Sequence, residues 1–140
     1  MIYLFDANVL IALIDTTHAH HVAAARFFPN AQRIGWATCP LVENAFIRIF
    51  GRQGYRNGPG TPELARQLLL HYCAAPGHQF LSDDLSLCDL TRFPSLPGAL
   101  VLTDIYLLAL AVKHRALFAT FDQGIDASLI PGGPQALHLL

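Results

Sequence analysis

Residues 1–15 read MIYLFDANVLIALID. The run from Ile2 to Phe5 has the β-branched and aromatic make-up of a buried strand, and it stops at Asp6. A second apolar run, Asn8 to about Ile14, has the length of a short helix. Asp6 therefore stands at the carboxyl end of a strand, between two hydrophobic segments. A carboxylate so placed needs a solvated crevice or a specific neutralising partner, for which a bound cation is a candidate. Its other use would be to cap the helix that follows.

Outward from this stretch, strand and helix signals alternate. His18 to Phe28 carries Val22, Ala25 and Phe28 at helical spacing and is predicted to stop at Pro29. Its His18, His20 and His21 fit a polar turn at a helix start better than a metal site. Arg33 to Thr38 suits a strand, and Thr38 or Cys39 caps a helix with Pro40 in its first turn, running to about Phe50. Gly51 to Gly60 reads as a loop. Thr61, Pro62 and Glu63 restart a helix, with Leu64, Leu68 and Tyr72 as its predicted buried stripe. His78 to Ser82 is a predicted strand, Asp83 to Leu90 a short helix, and Phe93 to Gly98 a loop. Thr103 is expected to cap a helix from Asp104 to His114, followed by a strand from Leu117 to Phe121 and an edge strand in Gln135 to Leu140. This alternation predicts a single α/β domain over residues 1–140 with a mainly parallel sheet, whose sites lie at the carboxyl ends of the strands.

The 140 residues suffice for one substantial core. Hydrophobic residues make up 53% and charged residues 14%, yet no apolar run approaches the ~18 residues of a membrane span. The N-terminus lacks a secretory pattern, so a cytoplasmic, membrane-free protein is expected. Cys39, Cys73 and Cys88 sit in apolar contexts without paired spacing, which argues against disulfides and zinc. A net charge of -1 gives no global basic field, so any nucleic-acid role must use a local patch.

Four acids lie in apolar sequence: Asp6 (YLFDANVL), Glu43 (PLVENAFI), Asp104 (VLTDIYLLAL) and Asp122 (FATFDQGI). Asp89 is a lesser case. Glu43 shares a helical row with Ile47 and Phe50, and Asp104 one with Leu107, Leu108 and Ala111, so both are expected to point inward. Asp6 and Asp122 each follow a strand, so all four can converge at one sheet edge. An all-oxygen set of this kind suits Mg²⁺ or Mn²⁺ and, with it, phosphodiester hydrolysis. Asn8 and Thr120, each two residues from an acid, are candidates for supporting the pocket. Asn44, Arg48 and Arg52 form a row on the Glu43 helix, continued by Arg56, and make a phosphate-facing patch.

FDANVLIALID, WATCPLVENAFIRI, TDIYLLALAV and FATFD, in this order and spacing, together resemble the PIN-domain ribonucleases, in particular VapC-type toxins of prokaryotic toxin-antitoxin modules. The resemblance spans nearly the whole chain. It implies a three-layer α/β/α fold and a Mg²⁺- or Mn²⁺-dependent endoribonuclease that cleaves structured RNA such as tRNA or rRNA and inhibits translation. It also implies dimer formation and inhibition by a cognate antitoxin. Carried over by position, Asp6, Glu43, Asp104 and Asp122 become the metal-binding acids, with Asn8 and Thr120 in the same pocket. Two alternatives compete: a non-catalytic RNA- or protein-binding module, and a phosphatase of the haloacid-dehalogenase type with Asp6 as nucleophile. The second wants another Asp two residues on, where this chain has Asn8. Trp36, Phe46 and Phe50 are expected to contribute exposed apolar surface for a partner helix and a second copy of the chain.

Overall fold

A computed structural model describes residues Met1 to Leu140. Its strands are β1 (Tyr3–Phe5), β2 (Trp36–Thr38), β3 (His78–Phe80), β4 (Leu117–Thr120) and β5 (Leu137–Leu139). They form one sheet in the order β3-β2-β1-β4-β5, with every neighbouring pair parallel. Parallel neighbours require crossover connections. Here α1 (Ala7–Ile14), α2 (His21–Ile34), α3 (Pro40–Phe50), α4 (Pro62–Cys73), α5 (Leu102–Lys113) and the single turn α6 (Gly133–Ala136) supply them. The architecture is thus α/β, a parallel sheet flanked by helices.

From β1 the chain builds outward to β2 and β3, then returns to the other side of β1 for β4 and β5. The strand order reverses between β1 and β4, and ligands in open parallel sheets bind in the crevice outside such a point. Register completes the placement: Phe5 pairs with Ala119, so the next residues, Asp6 and Thr120, emerge side by side.

β1 is buried throughout and β4 from Phe118 onward, which explains why Leu4, Phe5, Phe118 and Ala119 carry no polar face. In α5 every residue from Ile105 to Ala111 is buried, as its uniformly apolar sequence requires. Trp36, Phe46 and Phe50, expected at the surface, are core residues instead. Trp36 is packed by Phe5, Phe28 and His78, with ring centroids 5.1, 5.4 and 4.7 Å away. Exposed apolar side chains are found elsewhere, notably Phe80, Leu90, Leu96 and Leu100.

Several expected boundaries shift for identifiable reasons. α2 runs through Pro29 to Ile34. Proline removes the bond to the carbonyl four residues back, but Pro29 and Ala25 both face water, where that carbonyl can be solvated. Asp83 to Leu90 forms no helix. Ser86 and Asp89 instead bond the backbone amides of Cys88 and of Thr91 and Arg92, turns that compete with helix formation. In α4 the buried row is Ala65 and Leu69, whereas Leu64 and Leu68 are exposed. Both rows are apolar, so spacing alone cannot select between them, and the smaller Ala65 side chain is the one that faces the core. The Thr61 cap holds, accepting a hydrogen bond from the Leu64 amide at 3.1 Å. Thr103 caps nothing, because a 3-10 turn, Ala99–Val101, leads directly into α5 at Leu102. All three cysteines are free, but Cys88 is exposed and not in the core.

Candidate active site

Asp6 ends β1 and precedes α1, and it is only 7% exposed. Its carbonyl accepts hydrogen bonds from the Val9 and Leu10 amides, but its side chain makes no capping bond. The carboxylate is held by Thr120, whose hydroxyl donates to Asp6 Oδ2 at 2.7 Å. That direction is forced: Thr120 Oγ1 already accepts from Asn8 Nδ2 at 3.2 Å and from the Asp122 amide at 3.0 Å. A hydroxyl has one proton and two lone pairs, so all its capacity is used. Asn8, in the first turn of α1, is itself oriented by the Phe121 amide donating to Oδ1 at 3.4 Å. Asn8 and Thr120 meet, although not through the extended backbone that the sequence spacing suggested, since Asn8 is helical.

Asp104, in the first turn of α5, is half-buried and faces the same crevice. Burial, the Asp6 charge and a hydrogen bond with Asp122 push its carboxyl up to about 7. Burial also raises Asp6, against the Thr120 bond and the Ala7 and Asn8 amides, while the Asp122 charge raises it further. Asp122 follows β4 and is braced by the Gly124 amide donating to Oδ1 at 2.8 Å. Three carboxylates from the ends of β1 and β4 and the start of α5 thus share one low-dielectric edge, where like charges disfavour full ionisation.

Glu43 does not join them directly. In the first turn of α3, its Oε2 accepts from Thr38 Oγ1 at 2.7 Å, and Thr38 Oγ1 is 2.8 Å from His78 Nε2. With the Thr38 proton committed to Glu43, His78 supplies the proton of the second bond. Burial lowers the His78 pKa, against the pull of Glu43. The same device therefore occurs twice: a fully buried threonine at a strand's carboxyl end aims a carboxylate, Thr38 at β2 and Thr120 at β4. Thr38 and His78 were missed in the sequence, where a threonine closing a strand carries no signal of its own. Asp89, exposed in its loop, belongs to no such site.

The donor set is chemically suited to a hard divalent ion: carboxylate oxygens with no thiolate, repelling one another in the absence of positive charge. No three His, Cys, Asp or Glu side chains stand at the spacing of a ready-made cage. Mg²⁺ does not demand one, since it keeps several waters and is commonly held by one or two carboxylates. Of the basic row, Arg52 lines an open cleft with Arg56, whereas Arg48, exposed on α3, does not. His18, His20 and His21 form no metal site: His21 Nδ1 lies 2.8 Å from the Ala12 carbonyl, and the His20 ring stacks on Phe121 at 4.5 Å.

Comparison with known proteins identifies the family of the chain. Ribonuclease VapC38 of Mycobacterium tuberculosis is 37% identical over 122 residues, covering 87% of this chain and 86% of that protein. Ribonuclease VapC44 of the same species is 36% identical over 131 residues, 92% of each chain. The crystal structure of VapBC2 from Rickettsia felis, bound to a DNA fragment from its promoter, superposes with a TM-score of 0.65 over 100% of this chain and 99% of that one. At 12% identity that likeness concerns the fold. The PIN domain family matches residues 3–127. On this match and these relatives, the chain belongs to the PIN-domain family.

Proposed function

We propose that this chain is a Mg²⁺- or Mn²⁺-dependent endoribonuclease, the toxin of a toxin-antitoxin pair, which hydrolyses phosphodiester bonds in structured RNA such as tRNA or rRNA. The observation that carries the reading is the meeting of Asp6, Asp104 and Asp122 at the β1/β4 switch point, with Asp104 raised to about 7. The names of the relatives, both ribonucleases, support the reaction. Asp6, Asp104 and Asp122 would hold the ion, with Glu43 as the outer acid of the set. When bound, such an ion lowers the pKa of water and offsets charge building on the phosphoryl oxygens.

The remaining work falls to the chain's own groups. Thr120 fixes Asp6 through Oδ2, while Asn8 fixes Thr120. Without a cation Asp104 keeps its proton up to about 7, and a bound cation would favour its ionised form. Arg48 and Arg52 would bind RNA phosphates. A guanidinium fits the same anionic edge, so an antitoxin could inhibit by inserting an arginine there. The exposed Leu90, Leu96 and Leu100 offer apolar surface for that partner or for a homodimer. The reading places a single domain acting on RNA in the cytoplasm; no helix is long and apolar enough to cross a membrane.

The test is cleavage of labelled tRNA and rRNA by the parent, Asp6→Asn and Asp104→Asn proteins with Mg²⁺, Mn²⁺ or chelator. The parent should cut only with metal, and each variant should lose at least ~100-fold in rate without a lower melting temperature. Cleavage that survives chelation, or near-parental rates in either variant, would remove the metal-nuclease reading. RNA bound but left uncut by the parent would favour a non-catalytic module.

A further inference from the structure

Where α1 ends, the Gly51–Gly60 loop folds back against it and encloses an open, polar cleft of about 720 Å³. Two bonds hold its walls together. Tyr55 donates its hydroxyl to Asp15 Oδ2 at 2.8 Å, and Asn57 Nδ2 reaches Thr17 Oγ1 at 3.4 Å. Asn57 does so from a left-handed backbone conformation, φ 63°, which asparagine tolerates well. Asp15 is 7% exposed, and its Oδ1 takes both the amide and the hydroxyl of Thr17. Burial alone would raise its pKa, but these bonds together hold it low. Asp15 lines the cleft as well, but it is a bonded structural anion: Thr17 occupies its Oδ1 and Tyr55 its Oδ2.

The cleft's cations are in the opposite condition. Arg52 and Arg56 line it together with His18, and neither arginine has a carboxylate within ion-pair distance. Two unpaired guanidiniums in a preformed polar cleft are an anion site, and their planar fork suits phosphate. A path of aromatic rings leads from the cleft to the carboxylates. The His18 ring lies 5.8 Å from His20, and His20 stacks on Phe121 at 4.5 Å with 12° between planes. Phe121 sits between Thr120 and Asp122. The eight residues of α1 separate the two sites by about 12 Å.

The geometry points to a second RNA subsite: the Arg52–Arg56 cleft holds a backbone phosphodiester a few nucleotides from the one cut, with the intervening strand running along His20 and Phe121. Stacked rings beside a basic groove are how proteins track single strands. This subsite rests on the ribonuclease reading for its placement relative to cleavage, but its binding can be measured without any cleavage.

The experiment titrates a labelled single-stranded RNA of about a dozen nucleotides by fluorescence anisotropy against the Asp6→Asn protein, with and without Arg52→Gln and Arg56→Gln. The double arginine change should weaken binding by about 10- to 100-fold and lower the slope of log affinity against log salt by about 1.4. Arg33→Gln, in the last turn of α2, serves as the charge control and should leave the affinity within about twofold. Equal affinity and slope with and without the two arginines, or an equal loss from Arg33→Gln, overturns the subsite. Cleavage of the same RNA by the parent protein with Mn²⁺ is scored separately. Cleavage with arginine-independent binding rejects the cleft and keeps the nuclease; arginine-dependent binding without cleavage keeps the cleft as an RNA site and rejects the nuclease.

Discussion

Thr120→Val isolates the hydroxyl that organises the carboxylate edge. Valine keeps the shape of the side chain, which is completely buried, and deletes only the oxygen. Three groups then lose a partner: Asp6 Oδ2, Asn8 Nδ2 and the Asp122 amide. The Asp6 bond is charge-assisted and buried, and losing such a bond costs about 1.5–3 kcal/mol. Asn8 and Asp122 are half-buried, so water can replace much of what they lose. We therefore expect a total near ~3 kcal/mol, or a fall in melting temperature of roughly 10 °C for a chain of this length. The loss should depend on pH. The Thr120 bond lowers the Asp6 pKa, so removing it raises that pKa and lets Asp6 protonate sooner. Destabilisation is then full above the variant's Asp6 pKa and shrinks as pH falls through it. Thr120→Ser, which restores the hydroxyl, should recover most of the loss. The measurements are thermal melts of the metal-free protein between pH 4 and 8 and a carboxyl NMR titration of Asp6. A valine variant melting within about 2 °C of the parent at pH 8, or an Asp6 titration that does not move upward, refutes the hub.

Metal-free Asp104→Asn should be more stable than the parent at pH 8, by about 2 kcal/mol after allowing for its half exposure, with the gap closing toward pH 4. Between its ordinary 3.8 and about 7 the folded parent holds a proton on Asp104 that the unfolded chain releases, so parental stability falls as pH rises through that window. Denaturant melts at several pH values check the sign, and a gap that widens on acidification would reverse it. For the partner, calorimetric titration of Mn²⁺ should show at least ~10-fold weaker binding to the antitoxin complex than to the free chain, because a guanidinium at the carboxylates competes with the ion. Equal affinity would mean that the antitoxin blocks RNA access and leaves the acids alone.

Elements that occupy the sheet centre were legible in the sequence, because burial on both faces leaves no compositional choice: β1 and β4 read as apolar runs, and each ends at a polar residue. Asp6, Asp104 and Asp122 stood out as carboxylates in apolar surroundings, and the structure brings these three together. Glu43 stood out by the same signal but faces Thr38 and His78, since helical periodicity gives a face and not the neighbour across it. The Thr120–Asp6 and Thr38–His78 contacts depend on parallel register between strands 114 and 40 residues apart, for which a single sequence offers no local signal. Trp36 was misread because composition counts apolar residues without counting the rings that can enclose them. In α2, Pro29 was misread because its cost depends on whether the orphaned carbonyl meets water.

The aim of Asp6 is set by strand register: Phe5 opposite Ala119 leaves Thr120 beside it whatever the surface segments do. The Gly51–Gly60 loop is held through Tyr55 and Asn57 to Asp15 and Thr17, just past the end of α1, and not to the strand ends. The carboxylate edge and the basic cleft are therefore separable parts, as a cutting edge and its guide are in a machine tool. Under this division, the loop's charge can change without moving Asp6 or Thr120, so the grip on a backbone phosphate is adjustable apart from the carboxylate edge. Such adjustment involves about ten residues of surface chain, with the buried core untouched.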